Sequence, residues 1–363
     1  MLSVIATDLP RLIPCNGSRL MGASVPPVDA TDATKDEGNA VHWLVAQIHA
    51  GKFTPETIVG QKSPEGIFIT AEMVEHTDDY RSAFADGAVE VDTSHAGNGW
   101  NVRGRADAIK YVAAGGHLTV GELKYGWRIV EPEMNWTLIS HVAGFIANNP
   151  DKPVHTIDLT VFQPRPHHHA GGVRPWRIGI GDFEKLYNTM AGALAFPNNT
   201  LNTGEIQCHY CPALATCPAA NKAKYNAIEA SERAFTDQID NATLAFQLDH
   251  LKRASAMLKD LEKAYGELAL YRVKKGEIVP NYGTEAELTN RNWKENLTPE
   301  FVEALTGKEL TKKQLITPAQ AEKLGVSKEV VAALTERHNK GVKLVRVDTD
   351  AKAKKLFNQP KGN

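Results

Sequence analysis

The sequence predicts an α/β fold in which a mixed central sheet is flanked by helices. Apolar residues recur at helical spacing in KDEGNAVHWLVAQIHAG, residues 35–51, and Gly51 supplies a stop signal. From residue 88 the pattern changes to that of strands. AVEVDTS, WNVRGRADAIKYV and HLTVGELKYG are rich in β-branched residues and are broken by Gly and Asn turns, so we expect three strands in a meander.

Further helices and strands complete the predicted core. EPEMNWTLISHVAGFIANN is a predicted helix that opens at Pro132, and the strands VHTIDLTVFQP and WRIGI follow it. GDFEKLYNTMAGALAF is a second helix after these strands. Residues 1–50 are predicted to be helical in two pieces. This order places an α/β core at about residues 30–200.

The chain is predicted to divide between residues 235 and 236. Residues 1–235 would hold the α/β core together with a cysteine-rich segment. Residues 236–363 carry charged helical patterning, followed by Gly, Pro and Asn. We therefore expect a mainly helical C-terminal region, with a small hairpin at 277–290 and a last strand, GVKLVRVD.

Composition places the chain among ordinary globular proteins. Hydrophobic residues make up 42% of its 363 residues, and charged residues make up 23%. The net charge of −2 argues against a protein that coats nucleic acid non-specifically, although a local basic channel is enough to hold phosphates. No apolar run reaches the roughly 18 residues that span a bilayer, and the N-terminus lacks the pattern of a signal peptide. We therefore expect a cytoplasmic protein.

Asp107, Glu122 and Lys124 are the candidate catalytic residues. Asp107 lies in GRADAI on one predicted strand, and the other two lie in GELKYG on the next. Because side chains alternate along a strand, Glu122 and Lys124 project from one face, and a tight turn brings Asp107 beside them. Two carboxylates suit Mg²⁺ or Mn²⁺, and a lysine can orient a metal-bound water. The pattern indicates phosphodiester hydrolysis; the alternative is ordinary exposed strand charges.

His42 is a candidate metal ligand with Asp107 and Glu122. It lies in EGNAVHWL, on the helix predicted to pack over the sheet, which can bring its imidazole to the carboxylates. The alternative is a histidine that serves only the core. Three tryptophans are able to stack on nucleobases, but we expect core or rim packing for them: Trp127, Trp136 and Trp176.

The four cysteines form a second constellation. Cys208, Cys211 and Cys217 lie in CHYCPALATCP, and Cys15 lies near the N-terminus. Four thiolates complete a tetrahedral zinc site or a cubane iron–sulfur cluster. The single C-x2-C pair, with prolines after Cys211 and Cys217, favours a 4Fe–4S cluster over Zn²⁺, and unligated thiols are the third interpretation. A shared centre would staple the N-terminal segment to the end of the core.

Together these motifs resemble the RecB-like branch of the PD-(D/E)XK nucleases, in particular a phage and prophage family described as RecB-like exonucleases. The likeness extends over most of the chain, through LPRLIPCNGS, EGNAVH, GRADAI, GELKYG, VFQPRP, CHYCPALATC, NRNW and LITPAQAEKL. It implies a PD-(D/E)XK core in which Asp107, Glu122 and His42 bind the catalytic metal and Lys124 assists the water. Relatives such as the AddB nuclease and the CRISPR-associated exonucleases hold a cluster with one early and three late cysteines. The resemblance therefore implies an iron–sulfur staple here.

One departure from the superfamily concerns the helix after the lysine strand. Many members carry a glutamine and a tyrosine four residues apart on this helix, and the corresponding positions here are Thr137 and His141. These two residues, together with Gln163 in VFQPRP, are the candidates for positioning the DNA.

The resemblance implies a metal-dependent exonuclease that hydrolyses phosphodiester bonds from DNA ends, in phage recombination or DNA processing. DNA is then the substrate, and a phage single-strand annealing or binding protein is the expected partner, in the cytoplasm of a bacterial host. Two alternatives remain. One is a structure-specific endonuclease, and the other is a non-catalytic DNA-binding or scaffold protein on a nuclease fold.

Overall fold

Two mixed sheets lie at the centre of the N-terminal unit, Met1–Glu262. The structure is a computed structural model that describes residues 2–25, 33–231, 239–288, 292–294, 297–308, 318–336 and 339–346. The strands of this unit are β1 (Leu2–Ile5), β2 (Ala88–Asp92), β3 (His95–Gly97), β4 (Trp100–Arg103), β5 (Arg105–Val112), β6 (His117–Leu123), β7 (Thr156–Phe162) and β8 (Val173–Gly179).

Helices pack around these sheets. They are α1 (Leu9–Leu12), α2 (Ser18–Ala23), α3 (Ala33–His49), α4 (Ala71–Glu75), α5 (Asp78–Ala83), α6 (Trp136–Asn148), α7 (Ile180–Ala195), α8 (Glu205–His209) and α9 (Pro218–Ser231). A long helix, α10 (Asn241–Lys274), begins in the N-terminal unit and ends in the C-terminal one. None of the helices in the described ranges combines the length and the apolar character needed to cross a bilayer.

The larger sheet has five strands in the order β2-β5-β6-β7-β8. The β6–β7 pair is parallel and the other pairs are antiparallel. Parallel neighbours need a long crossover, and α6 supplies it between β6 and β7. β6 and β7 are mostly buried, and their near-continuous apolar sequences reflect burial on both faces. The predicted α/β class with a mixed sheet is confirmed.

The smaller sheet was not predicted. Its order is β1-β4-β3, with β1 parallel to β4, although we expected the N-terminal segment to be helical. The predicted strand WNVRGRADAIKYV is divided at Gly104, where the chain leaves the smaller sheet and enters the larger one as β5. A Cβ at Gly104 would lie 2.8 Å from Thr93 Oγ1 and 3.3 Å from His141 Nδ1, so only glycine permits this close approach.

Hydrophobic clusters cover both faces of the larger sheet. On one face, α6 and α7 contribute buried residues such as Leu138 and Met190, which cluster with Val120 and Ile157 of the strands. This cluster also includes residues of β1 and β4, so the two sheets share one core. Burial of such a set is the main stabilising contribution to this unit.

The opposite face is covered by α3, α4 and α5. Val41 and Leu44 of α3 are fully buried there, together with an aromatic group formed by Tyr80, Phe84 and Phe162. The Tyr80 and Phe162 ring centroids are 5.3 Å apart in an edge-on arrangement, which aromatic pairs prefer. The helix that carries His42 is thereby fixed over the sheet.

The C-terminal unit, Lys263–Asn363, contains short helices and two strand pairs. The elements are β9 (Tyr282–Leu288), β10 (Asn292–Trp293), α11 (Pro299–Thr306), α12 (Pro318–Lys323), α13 (Lys328–Leu334), β11 (Thr335–Glu336) and β12 (Asn339–Arg346). The sequence predicted a local hairpin at 277–290; β9 instead pairs with β12, far along the chain, and β10 pairs with β11. The predicted boundary between residues 235 and 236 falls outside the described residues.

Candidate active site

Asp107 is fixed at the point where the pairing of β5 and β6 ends. The last paired residues are Ala108 and Gly121, and beyond them the backbone N–H of Leu123 donates a hydrogen bond to Asp107 Oδ2 at 2.8 Å. The Lys124 N–H in turn donates to the Phe162 carbonyl at 2.8 Å, which extends the β6–β7 pairing by one residue. The carboxylate and the lysine are therefore both held by the ends of strands, which gives them little freedom.

Glu122 and Lys124 form an ion pair between Oε1 and Nζ. The Glu122 side chain is only 6% exposed, whereas that of Lys124 is 36% exposed. Burial raises the pKa of Glu122, but the charge and hydrogen bond of Lys124 together with the nearby His141 and His42 outweigh it, so the pKa falls below its ordinary value. Burial lowers the pKa of Lys124, but Glu122 and then Asp107 raise it more. Both partners are therefore charged, and the ammonium is the more accessible of the two.

Gly121 makes room for the aromatic group under the site. A Cβ at this position would overlap the ring of Phe84, which is itself 1% exposed. The absence of a side chain lets β6 lie close against the ring, immediately before Glu122. Gly121 therefore has a packing role, because it determines how closely β6 approaches the core next to the ExK motif.

His42 and Asp107 approach each other, and a third ligand that the sequence did not predict lies beside them. His42 Nδ1 is 3.6 Å from Asp107 Oδ1. Glu90, His42 and Asp107 each offer one ligand atom, and these atoms all lie within 4.8 Å of one another. The site therefore contains an imidazole and two carboxylates at distances that suit one divalent cation.

Glu90 lies opposite Asp107 on the neighbouring strand, because the pairs Val89–Ala108 and Val91–Ala106 flank it. Its φ angle is +54°, a left-handed conformation that a glutamate rarely adopts and that costs on the order of 1–3 kcal/mol. The only sequence signal for Glu90 is an acidic residue in a strand next to Asp107. The register that brings the two together cannot be read from the sequence.

The pKa of Asp107 is shifted by its burial and by the charged side chains around it. Burial raises its pKa to about 6; the nearby His42 opposes the shift and Glu122 adds to it. A carboxylate that is costly to charge in this environment is stabilised in its charged form by a cation. Glu122, the other predicted metal ligand, belongs to the Lys124 pair and not to the group of three. Its role as a ligand stays a prediction.

The predicted DNA-positioning residues of α6 are buried. Thr137 is 6% exposed and donates a hydrogen bond from Oγ1 to the Ala6 carbonyl at 3.3 Å. His141 is 2% exposed, and its Nδ1 lies 2.7 Å from Thr93 Oγ1. Both side chains hold the N-terminal segment and the strands in place. A direct contact with DNA stays a prediction for each.

Gln163, the third predicted positioning residue, is also buried at 1% exposure. Its amide nitrogen donates to the carbonyl oxygens of Gly126 and Arg128, at 2.9 and 2.6 Å. Its amide oxygen accepts from the Val130 N–H at 3.0 Å. Gln163 therefore supports the loop that follows Lys124.

None of the four cysteines forms a disulfide. Cys15, Cys208 and Cys217 are buried, and Cys211 is half-buried. Backbone N–H groups of Asn202 and Gly204 donate to the sulfurs of Cys15 and Cys208, each at 3.4 Å. Burial raises the pKa of the Cys208 thiol to about 11, and the neighbouring Cys211, Cys15 and Cys217 add to this shift. The thiols thus influence one another electrostatically.

The sulfur atoms are not gathered at zinc-ligand spacing. With Zn–S bonds of about 2.3 Å, tetrahedral geometry would place the sulfurs about 3.8 Å apart. Among the described residues, no three cysteine sulfurs lie within 4.8 Å of one another. The segment around Cys15 is nevertheless tied to the loop before Cys208. Asn16 Nδ2 donates to the Ala193 carbonyl at 2.8 Å, and the Gly17 N–H donates to the Thr200 carbonyl at 2.9 Å.

Comparison with known proteins assigns the chain to a family. A family model described as "protein of unknown function (DUF2800)" matches residues 6–352. The chain belongs to the DUF2800 family. No curated protein matches the sequence. Among solved structures, the crystal structure of SSO0001 is 15% identical to the chain, covers 60% of it and 87% of its own length, and superposes with a TM-score of 0.30.

The match to DUF2800 covers both constellations, since it includes all four cysteines and every candidate residue of the active site. In this DUF2800 protein, two neighbouring features define the candidate site. One is the group of hard ligands, His42, Glu90 and Asp107, and the other is the charged lysine paired with Glu122. Such a combination can place a cation and an ammonium group on one anionic substrate.

Proposed function

We propose that this DUF2800 protein is a metal-dependent deoxyribonuclease, built on a PD-(D/E)XK nuclease core, that hydrolyses phosphodiester bonds from DNA ends. One observation carries the proposal: Asp107, Glu122, Lys124 and His42 converge at the ends of β5 and β6. A protein that only binds DNA has no need of two carboxylates beside a lysine. We place its role in phage recombination or DNA processing in the bacterial cytoplasm, with a single-strand annealing or binding protein as partner.

The residues of the site fit Mg²⁺ or Mn²⁺. His42, Glu90 and Asp107 would hold the ion, because oxygen and imidazole ligands suit these metals and the three ligand atoms already lie within 4.8 Å. When bound, the ion would neutralise charge on the phosphoryl oxygens and lower the pKa of a bound water. Lys124 would add a positive charge to the same substrate, and its pairing with Glu122 keeps the ammonium in place.

A digestion assay tests the proposal. Full-length protein, purified without oxygen, is incubated with linear duplex, single-stranded or closed circular DNA, in Mn²⁺ or in EDTA. We expect linear DNA to be lost only in Mn²⁺. Lys124→Ala should slow cleavage by about 100-fold or more, since it removes a charge aimed at the reacting group. Lys110→Ala is the matched control, because Lys110 lies on β5 but pairs with Asp86 at 2.6 Å, away from the site.

The possible results separate the proposal from its rivals. Cleavage of closed circular DNA would favour a structure-specific endonuclease. An absence of cleavage of any substrate would favour a DNA-binding or scaffold protein on a nuclease fold. Full activity of Lys124→Ala would refute the assignment of the active site.

We also propose that the four cysteines hold a 4Fe–4S cluster that staples the N-terminal segment to the end of the core. The backbone N–H groups directed at Cys15 and Cys208 support a cluster, whose sulfurs accept such hydrogen bonds. The effect of Cys211, Cys15 and Cys217 on the pKa of Cys208 supports one shared centre for the four thiols. Protein purified without oxygen should be brown and contain iron. A colourless protein that contains zinc would refute this part of the proposal.

A further inference from the structure

Trp127 is an exposed aromatic residue beside the candidate active site. It lies three residues after Lys124, in the loop of residues 124–135 that joins β6 to α6, here called the tryptophan loop. Its exposed fraction is 65%, although large aromatic side chains in this unit are mostly packed. A single exposed aromatic residue is ordinary in a folded protein. Trp127 differs from such a residue in two respects: its loop is held by hydrogen bonds, and a guanidinium lies against its ring.

The tryptophan loop is held on both sides of Trp127. Gln163 donates to the carbonyl oxygens of Gly126 and Arg128, the residues immediately before and after the tryptophan. Gln163 is in turn fixed by Arg174, whose Nη2 donates to the Gln163 amide oxygen at 2.8 Å. The indole is therefore presented to solvent by a braced backbone, not by a loose loop.

A cation lies against the same ring. The Arg165 guanidinium carbon is 5.1 Å from the centroid of Trp127 and 4.2 Å from that of Tyr125. Glu37 of α3 accepts a hydrogen bond from Arg165 Nη1 at 2.7 Å, which holds the guanidinium in place. Arg165 is thus a fixed guanidinium, ion-paired with Glu37, that lies against an exposed ring in the loop that follows Lys124.

A flat ring with a cation next to it matches the chemistry of a nucleotide. The indole face can stack on a base of any sequence, and the guanidinium against the ring strengthens its attraction for a base. Stacking needs a base whose face is uncovered, and inside a duplex both faces are covered by neighbouring bases. The substrate form that fits this position is therefore a single-stranded or frayed DNA end.

We propose that Trp127 is the stacking position for an unpaired base next to the bond that is cleaved, and that Gln163 positions Trp127 by bracing its loop. The proposal rests on the proposed nuclease function, because it takes Lys124 as the neighbour of the scissile phosphate. It goes further in naming the strand form that the site accepts and the residue that selects it.

The test compares two probes that differ only in their bases. One is a fluorescein-labelled 12-residue oligo(dT), and the other is an abasic oligonucleotide of the same length and charge. Binding to full-length protein is measured by anisotropy in EDTA, so that no cleavage occurs. We expect the wild type to bind oligo(dT) about 10-fold more tightly than the abasic probe, the scale of one stacked base. Trp127→Ala should lose this preference and keep its affinity for the abasic probe.

Tyr225→Ala is the matched control. Tyr225 on α9 is also 65% exposed and also has a cation over its ring, the Lys224 ammonium at 4.6 Å, but it lies outside the site. This variant should keep the wild-type preference. Trp127→Phe should restore most of it, since phenylalanine retains an aromatic face. Gln163→Ala should reduce the preference, but should have no further effect when combined with Trp127→Ala.

The outcomes distinguish this inference from the proposed function. If Trp127→Ala keeps the wild-type preference for oligo(dT), or weakens both probes equally, the stacking position is refuted even when cleavage is intact. If the wild type binds the two probes equally, it is refuted as well. If the preference depends on Trp127 but no DNA is cleaved in Mn²⁺, stacking stands and the nuclease proposal fails.

Discussion

Replacing His141 with asparagine should change how the stability of the N-terminal unit depends on pH. His141 is 2% exposed between α6 and the strands, and its Nδ1 lies 2.7 Å from Thr93 Oγ1. Burial lowers its pKa to about 4, although the negative charge of Glu122 opposes this shift. An asparagine carries an amide atom near the position of Nδ1, so it can keep the Thr93 contact without titrating.

The sign and size of the effect follow from the two pKa values. In the unfolded chain a histidine titrates near pH 6.5, whereas in the folded protein His141 has a pKa of about 4. Between these values the unfolded chain binds a proton that the folded protein does not, so stability is present above pH 6.5 and is lost as the pH falls. Integrating this difference gives a loss of about 2 kcal/mol between pH 7 and pH 5.

The assay is urea unfolding at pH 7 and pH 5, for the wild type and for His141→Asn. Groups such as Asp107, whose raised pKa acts in the opposite direction, contribute to both proteins and cancel in the comparison. The variant should therefore lose about 2 kcal/mol less than the wild type on acidification. His250→Asn, at an exposed position of α10, is the control and should behave as the wild type. Equal pH dependence in His141→Asn would refute the assigned buried, neutral state.

Packing and ligation around the two sites give three more expected results. Gly121→Ala, whose Cβ overlaps the Phe84 ring, should lower the free energy of unfolding in urea by about 1–3 kcal/mol. The control is Gly192→Ala, whose Cβ meets nothing within 4 Å and which should not destabilise the protein. Equal effects of the two substitutions would contradict the packing role of Gly121. Glu90→Gln should raise the Mn²⁺ concentration needed for half-maximal cleavage about 10-fold. If this concentration is unchanged, Glu90 is not a metal ligand. Cys208→Ser, purified without oxygen, should lose its iron and melt at a lower temperature; wild-type iron content would count against the cluster.

The sequence predicted correctly those helices and strands whose own residues carry a clear helical or strand periodicity. The helical spacing of residues 35–51 corresponds to α3, Ala33–His49, because its apolar stripe is the face that packs on the sheet. The segment HLTVGELKYG corresponds to β6, which ends at Leu123, and Lys124 extends its pairing by one residue. The sequence alone therefore predicts that Asp107 and the ExK motif lie on adjacent strands.

Partners that depend on long-range pairing could not be predicted in this way. β1 is a strand only because β4 lies beside it, and the four residues LSVI carry no periodicity long enough to indicate this. Glu90 is a candidate ligand only because the β2–β5 register sets it opposite Asp107. A shift of one residue would turn its side chain to the other face, and the sequence alone does not fix that register.

The exposures of Gln163 and Trp127 are the reverse of what residue type suggests, and one set of hydrogen bonds explains both. A glutamine is usually exposed and a tryptophan usually packed, and the sequence accordingly predicted a DNA contact for Gln163 and core or rim packing for Trp127. The tryptophan loop, however, brings the backbone groups of Gly126, Arg128 and Val130 to the end of β7. Gln163 pairs with all three. The Gln163 amide is 1% exposed, and leaving its polar atoms without partners there would cost about 1–3 kcal/mol each. The Gln163 side chain is therefore buried because it holds the tryptophan loop, and that loop places the Trp127 indole at the surface.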